Sequence, residues 1–249
     1  MKIEGLGALV TGGSRGLGAA LAEELAGRGA RVVIVGREEA PLHARAAEIA
    51  ARGGRVHALA ADIGDKEAIY PLAGAAAALV GPIDLLVHNA STLGQVPLPL
   101  LIDTECEDLE RVLAVNLVGP FRLTRALVGS MMLRRRGLVI HISSDAAITP
   151  YPRWGAYGVS KAALDHLGRI WGAELSEAGV RFISVDPGEM NTRMHAEAIP
   201  DADPASLLEP VVVARQIVRL IEDVERLPAG ARVEAARYQA SFGGGEQRI

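Results

Sequence analysis

The 249-residue chain has a single cysteine, Cys106, so no internal disulfide can hold it together. Its fold must rest on a hydrophobic core, and the count suits a reducing, cytoplasmic setting. Basic residues do not prevail: 26 Lys+Arg stand against 30 Asp+Glu, a formal charge of −4, and lysine is scarce. That balance argues against a dedicated nucleic-acid binder, which needs a basic face. The longest apolar stretch, residues 68–80, is interrupted by Pro71 and Gly74. It falls short of the ~20 residues that span a bilayer, so no membrane partner is expected. The start, Lys2-Ile3-Glu4 and then a glycine-rich turn, lacks the cationic-then-apolar pattern of a secretory signal. Linkers, charge blocks and internal repeats are missing too, which favours one domain over 1–249. The histidines, His43, His57, His88, His141, His166 and His195, show no metal-ligand spacing with a carboxylate, and no metal is expected.

Hydrophobic residues make up 49%, enough for a large core. They fall in short continuous runs at residues 6–10, 31–35, 56–60, 83–88, 138–142 and 180–185. Continuous runs suit strands covered on both faces of a parallel sheet. Helical spacing lies between them: Leu17, Leu21 and Leu25 make one stripe, and Leu42 and Ile49 mark the next helix. Asp65 reads as the N-cap of a helix that Gly81-Pro82 stops near Val80. Strand–helix–strand repetition predicts an α/β fold, a doubly wound, mostly parallel sheet with helices on both faces. Residues 91–102 and 191–210 break the rhythm with prolines after a strand end, the edge where open α/β sheets bind ligands.

The first strand runs into Thr11-Gly12-Gly13-Ser14-Arg15-Gly16-Leu17-Gly18, and a helix pattern begins at once. Gly12 supplies a left-handed turn, Gly16 leaves room for a phosphate at the helix N-terminus, and Gly18 lets the helix pack closely on the sheet. A lone glycine cluster is an ordinary turn; its place between strand one and helix one makes it a dinucleotide site. The cradle takes in Gly12, Ser14, Arg15, Gly16, Leu17 and Gly18. The second strand ends in Gly36-Arg37, where an NAD-specific site commonly has an acid. A guanidinium there grips a 2′-phosphate, so NADP(H) is the expected cofactor, with NAD(H) as the alternative and Arg15 as a helper. Solvated surface arginines are the competing reading.

The strand at 138–142 ends in Ser143-Ser144, and Tyr157 and Lys161 follow at i, i+4 on one helix. Hydride addition to a carbonyl makes an alkoxide that needs a proton. A phenol of pKa ~10 holds that proton too tightly at neutral pH, and a nearby ammonium lowers the value. Tyr157 then serves as general acid in reduction and base in oxidation, with Ser144 donating to the substrate oxygen.

The glycine loop, Ser144 and Tyr157-x-x-x-Lys161 resemble the short-chain dehydrogenase/reductase family in order and spacing, over most of the chain. The resemblance implies a single-domain Rossmann fold of about seven strands that interconverts a small-molecule carbonyl and an alcohol. It makes Asn116 a fourth catalytic residue that holds a water linking the lysine to solvent. It places adenine at Asp62 and Ile63, the cofactor cleft at Asn89 and Ala90, and the carboxamide at Pro187, Gly188, Met190 and Thr192. It implies a substrate loop at 189–210 and a homodimer or homotetramer built from the helices holding Asn116 and Tyr157. A cofactor-bound epimerase or dehydratase, or a non-catalytic nucleotide sensor, is the rival reading.

The sequence departs from the family at His88-Asn89-Ala90-Ser91, and it lacks the usual Thr-Gly and Asp-Gly-Gly near the C-terminus, leaving residues 232–235 as a shortened seventh strand. His88 and His141 read as satisfied core residues and Cys106 as inert. Arg134-Arg135-Arg136 suits the negative end of a helix dipole. Ile148, Tyr151 and Trp154 read as walls of a substrate pocket or as contacts to a second subunit. The run Gly243-Gly244-Gly245 is expected to fray.

Overall fold

A computed structural model describes residues 1–238; the glycine run expected to fray lies outside the described residues. In chain order the elements are β1 (Gly7–Thr11), α1 (Gly16–Gly27), β2 (Arg31–Gly36), α2 (Glu39–Ala51), β3 (Arg55–Ala60), α3 (Ile69–Val80), β4 (Leu85–His88), α4 (Cys106–Leu113), α5 (Gly119–Leu133), β5 (Gly137–Ile142), α6 (Gly155–Leu175), β6 (Val180–Asp186), α7 (Arg193–Ala198), α8 (Pro210–Glu222) and β7 (Ala231–Glu234). The strands form one seven-stranded sheet in the order β3-β2-β1-β4-β5-β6-β7, and every pairing is parallel.

The continuous apolar runs explain this arrangement. All residues of β1, β4 and β5 are buried, because helices cover both faces. Ala8, Val10, Leu138 and Ile140 pack with Leu21 and Leu25 of α1 and Ile217 and Leu220 of α8. Leu9, Leu86, Val139 and Phe182 face the other way, onto Leu72 and Ala76 of α3 and Leu123, Leu127 and Met131 of α5. Strand order reverses between β1 and β4, so the loops that follow them diverge and open a crevice at the C-terminal edge.

Several local expectations are corrected. Asp65 does not cap α3; its carboxylate accepts from the Glu67 N–H at 2.9 Å in a separate turn, and α3 starts at Ile69 after an uncapped Ala68. Residues 106–133 run as one helix through a π-helical turn at Ala114–Val118. By length and composition that helix could cross a membrane, which the sequence reading overlooked. Its apolar face, however, is spent on the sheet, through Leu123, Leu127 and Met131. The arginine triplet closes its own helix end through its backbone, the Arg134, Arg135 and Arg136 N–H groups donating to the Ser130, Met132 and Met131 carbonyls, while its side chains reach elsewhere: Arg134 pairs with Asp84 and donates to the Ile83 carbonyl at 2.7 Å, and Arg135 donates to the Glu177 carbonyl at 2.7 Å. The seventh strand forms at Ala231–Glu234, one residue earlier than the spacing suggests.

Candidate active site

A cleft of about 1130 Å³ runs along the C-terminal edge of the sheet. Nearly every residue singled out in the sequence lines it, from Gly12, Ser14, Arg15, Gly16 and Leu17 through Arg37, Asp62, Ile63, Asn89 and Ala90 to Ser144, Tyr157, Lys161, Pro187, Gly188, Met190 and Thr192. Gly18 and Asn116 stand behind its wall.

The glycine loop is built by close approach. Gly12 has φ +69°, and a Cβ there would lie 2.7 Å from the Asn89 side-chain nitrogen. Gly16 has φ +54°, and its nearest neighbour would be a Thr192 methyl at 3.5 Å, so this wall is open to a ligand. Gly18 has a different role from the one expected: its Cβ would strike the Gly12 carbonyl at 2.2 Å, so it packs α1 onto the loop itself. Packing on the sheet falls to Gly13, whose Cβ would meet the Ile34 Cβ at 2.6 Å. A latch holds the loop to the end of β4. Asn89 Nδ2 donates to the Thr11 and Gly12 carbonyls at 2.9 and 3.1 Å, while Thr11 Oγ1 accepts from the Asn89 and Ala90 N–H groups, both at 3.1 Å. Sequence reasoning missed Thr11, a polar residue ending an otherwise apolar strand.

At the β2 end Arg37 lines the cleft with no carboxylate partner among the described residues. Glu38, also missed, pairs with Arg15 at 2.5 Å across the mouth. Asp62 is a turn residue as well as a cleft residue: its Oδ1 accepts from the Gly64 N–H at 2.8 Å.

The other end holds the acid–base candidates. Tyr157 and Lys161 occupy one face of α6, both buried. The Lys161 ammonium donates to the Ile142 carbonyl at 2.7 Å and lies 5.4 Å from the centre of the Tyr157 ring. Burial pushes Lys161 down to about 8, partly opposed by Asp165. Tyr157 does not show the lowered value expected from its lysine. Burial raises its pKa well above the ordinary phenol range, the nearby Ser144 hydroxyl opposes this, and Asp186 and Asp145 add to it. The two serines differ: the Ser144 hydroxyl lies near enough to the phenol to favour its ionisation, whereas the Ser143 hydroxyl is buried without a partner. Ser144 Oγ donates to Asp145 Oδ1 at 3.0 Å and accepts from the Ala146 N–H at 3.1 Å, capping a 3₁₀ turn at Asp145–Ala147.

Asn116 sits in the π-helical turn with its side chain fully engaged. It accepts from the Thr92 N–H at 2.8 Å and donates to the Thr92 carbonyl and Ser160 Oγ, both at 2.9 Å. Ser160 Oγ in turn donates to the Tyr157 carbonyl at 2.6 Å. Asn116 therefore ties the segment after β4 to the turn of α6 that carries the tyrosine.

Part of the 189–210 segment lines the cleft, and its two arms are tied together by Asn191 N–H donating to the Leu208 carbonyl at 2.9 Å and Leu208 N–H to the Glu189 carbonyl at 3.1 Å. Thr192 caps α7 by accepting from the His195 N–H at 3.2 Å. Gly188, at φ +74°, donates to Asp186 Oδ1 at 3.0 Å. Trp154 and Tyr151 line the cleft, Trp154 with its ring edge-on to Tyr157 at 5.6 Å, while Ile148 projects away from it.

His88 and His141 are paired neighbours on β4 and β5 with ring centres 5.3 Å apart, and they are not satisfied as expected. His88 Nε2 bonds Thr124 Oγ1 at 2.9 Å, but its Nδ1 and both His141 nitrogens lack partners. Burial lowers His88 well below its ordinary value and His141 to about 3. Between about pH 6.5 and 3 the unfolded chain therefore binds more protons, so stability falls as pH falls through that window. Each histidine contributes up to ~1.4 kcal/mol per pH unit. Urea unfolding from pH 7 to 5 should show this slope, with a shallower one in His141→Leu; equal slopes would contradict the account.

The family model for short chain dehydrogenases matches residues 7–203. The chain is 38% identical over 213 residues to a short chain dehydrogenase of Pseudocercospora fijiensis, covering 84% of this chain and 68% of that one. Among solved structures it resembles a metagenomic short-chain oxidoreductase in complex with NADP (TM-score 0.78, 32% identity, 94% of this chain and 99% of that one). It also resembles a 3-ketoacyl-(acyl-carrier-protein) reductase of Brucella melitensis complexed with NADH (TM-score 0.85, 27% identity, 93% and 97%). The chain belongs to the short-chain dehydrogenase/reductase family of oxidoreductases.

Proposed function

We propose that this protein is an NADP(H)-dependent oxidoreductase that interconverts a small carbonyl compound and its alcohol, with Tyr157 as the general acid and base. The observation that carries the reading is one continuous cleft with a glycine cradle and Arg37 at one end and Ser144, Tyr157 and Lys161 at the other. A dinucleotide fits it: Gly16 leaves the cradle bare of a side chain, and Arg37 and Arg15 supply positive charge where a 2′-phosphate would lie. When bound, the reduced cofactor supplies the hydride. Asp62 and Ile63 would hold its adenine end, and the turn from Pro187 to Thr192 its carboxamide.

Ser144 donates to the substrate oxygen and Tyr157 releases its proton to that oxygen as negative charge develops. The raised phenol pKa keeps Tyr157 protonated until then. Lys161, at about 8, must itself be protonated to favour phenolate formation. Asn116, in the π-helical turn and bonded to Ser160 beside Tyr157, is assigned the proton-relay water that links Lys161 to solvent. Residues 1–249 act as one domain with 189–210 as the substrate lid. Exposed Val159 and Ile170 on α6 fit a homodimer or homotetramer, and the single cysteine fits the cytoplasm.

A screen of ketones, quinones and alcohols, read by nicotinamide absorbance, tests the assignment. Carbonyl reduction should fall as pH rises through about 8, where Lys161 loses its proton. A rate that keeps climbing above that pH would remove Lys161 from the mechanism.

A further inference from the structure

Arg232, on the short last strand, reaches three parts of the site at once. Its Nε donates to Asp165 Oδ2 at 3.0 Å, and its Nη2 donates to the Ser144 carbonyl at 2.9 Å and to Asp186 Oδ2 at 2.8 Å. All three side chains of the ion cluster are largely buried, at 17%, 5% and 8% exposure for Arg232, Asp165 and Asp186. We propose that Arg232 is a positioning residue for this active site, acting through Ser144, through the Asp186–Gly188 turn and through the carboxylate beside Lys161.

The inference rests on the proposed function. Asp186 uses its second oxygen to hold the Gly188 N–H, so Arg232 braces the turn assigned to the carboxamide. By gripping the Ser144 carbonyl it fixes the backbone of the serine that shares the cleft with Tyr157. Asp165 lies one turn beyond Lys161 on α6 and supports its ammonium, and Arg232 partly neutralises that support. The charged and titratable groups around Lys161 are Tyr157 and Asp165 on α6, His88 on β4, His141 on β5, Asp145 beyond β5, Asp186 on β6 and Arg232 on β7. The two histidines are held neutral, which leaves the carboxylates and Arg232 to set the local field. A guanidinium suits the task because its fork presents several donors in fixed directions; an ammonium cannot meet all three acceptors in the same geometry.

The test compares Arg232→Met, Arg232→Lys and Asp165→Asn, each shown to be folded by circular dichroism. Two readouts are taken: NADPH dissociation constants from nucleotide fluorescence, and the alkaline limb of carbonyl reduction. Arg232→Met should weaken NADPH about tenfold and move the limb up by about one pH unit, because Asp165 acts on Lys161 unopposed. Asp165→Asn should move the limb down and leave NADPH binding unchanged. Arg232→Lys should restore the limb toward wild type but not the nucleotide affinity. Opposite limb shifts cannot come from general loosening of the fold. If Arg232→Met fails to fold, the Lys and Asn variants decide by the same criteria. Wild-type affinity in the Arg232 variants with unmoved limbs would make the cluster a passive brace. If the wild type reduces no carbonyl, the functional reading fails, and the affinity measurements alone decide this proposal, loss supporting it and no change overturning it.

Discussion

Tyr157→Phe should lower carbonyl reduction by about 10³-fold while changing NADPH affinity less than about twofold. The substitution removes one oxygen and keeps the ring that packs edge-on against Trp154 and beneath the Lys161 ammonium. Helix α6 stays anchored through Ser160 and Asn116, which bond the Tyr157 carbonyl side and not its hydroxyl. The variant therefore isolates the proton donor. The phenol is buried and its pKa is raised, so it holds its proton until charge develops beside it. A phenylalanine offers nothing in its place, and Ser144 cannot substitute, since an aliphatic hydroxyl is a far weaker acid than a phenol. Loss of both turnover and nucleotide binding would instead mean a collapsed cleft. Retained turnover would remove Tyr157 from the chemistry.

The second large effect concerns the nucleotide. Arg37→Ala should cut kcat/KM for NADPH by about tenfold or more and leave NADH nearly unaffected, since one charge-assisted grip on a phosphate contributes ~1.5–3 kcal/mol. Glu38→Gln should act in the opposite direction. It releases Arg15, now paired at 2.5 Å, and removes a carboxylate that would repel a 2′-phosphate. The Arg15–Glu38 pair is exposed, so breaking it costs little by itself, and a bound phosphate competes well for the same guanidinium. Selectivity is measured as the ratio of kcat/KM values for the two nucleotides. An unchanged ratio in both variants would place the adenosine ribose away from this end of the cleft.

What could be read in the sequence was what depends on near neighbours. The stripe of Leu17, Leu21 and Leu25 is buried as its spacing predicts, and Tyr157 and Lys161 share a face because helical geometry leaves no choice. Strand limits differ by a residue or two because pairing with the adjacent strand, not the strand's own composition, decides where hydrogen bonding stops. Contacts between distant segments were hidden. Thr11 with Asn89, Asn116 with Thr92 and Ser160, and Arg232 with Asp165 and Asp186 join residues that no local pattern relates. Burial was hidden too, and it reverses the expected direction of the Tyr157 shift and leaves the His88–His141 pair short of partners. Side-chain types suggested satisfied core histidines; only the register of β4 against β5 puts the two rings together.

The most direct measurement follows a label. Wild-type protein is given NADPH carrying deuterium at the transferable position of the nicotinamide, together with whichever carbonyl compound the screen finds active, and the product is analysed by mass spectrometry. A nicotinamide-dependent carbonyl reductase places one deuterium on the former carbonyl carbon, with one nucleotide oxidised for each alcohol formed. Product without deuterium, or product formed while the nucleotide stays reduced, would contradict the account and favour an epimerase or dehydratase built on the same cleft.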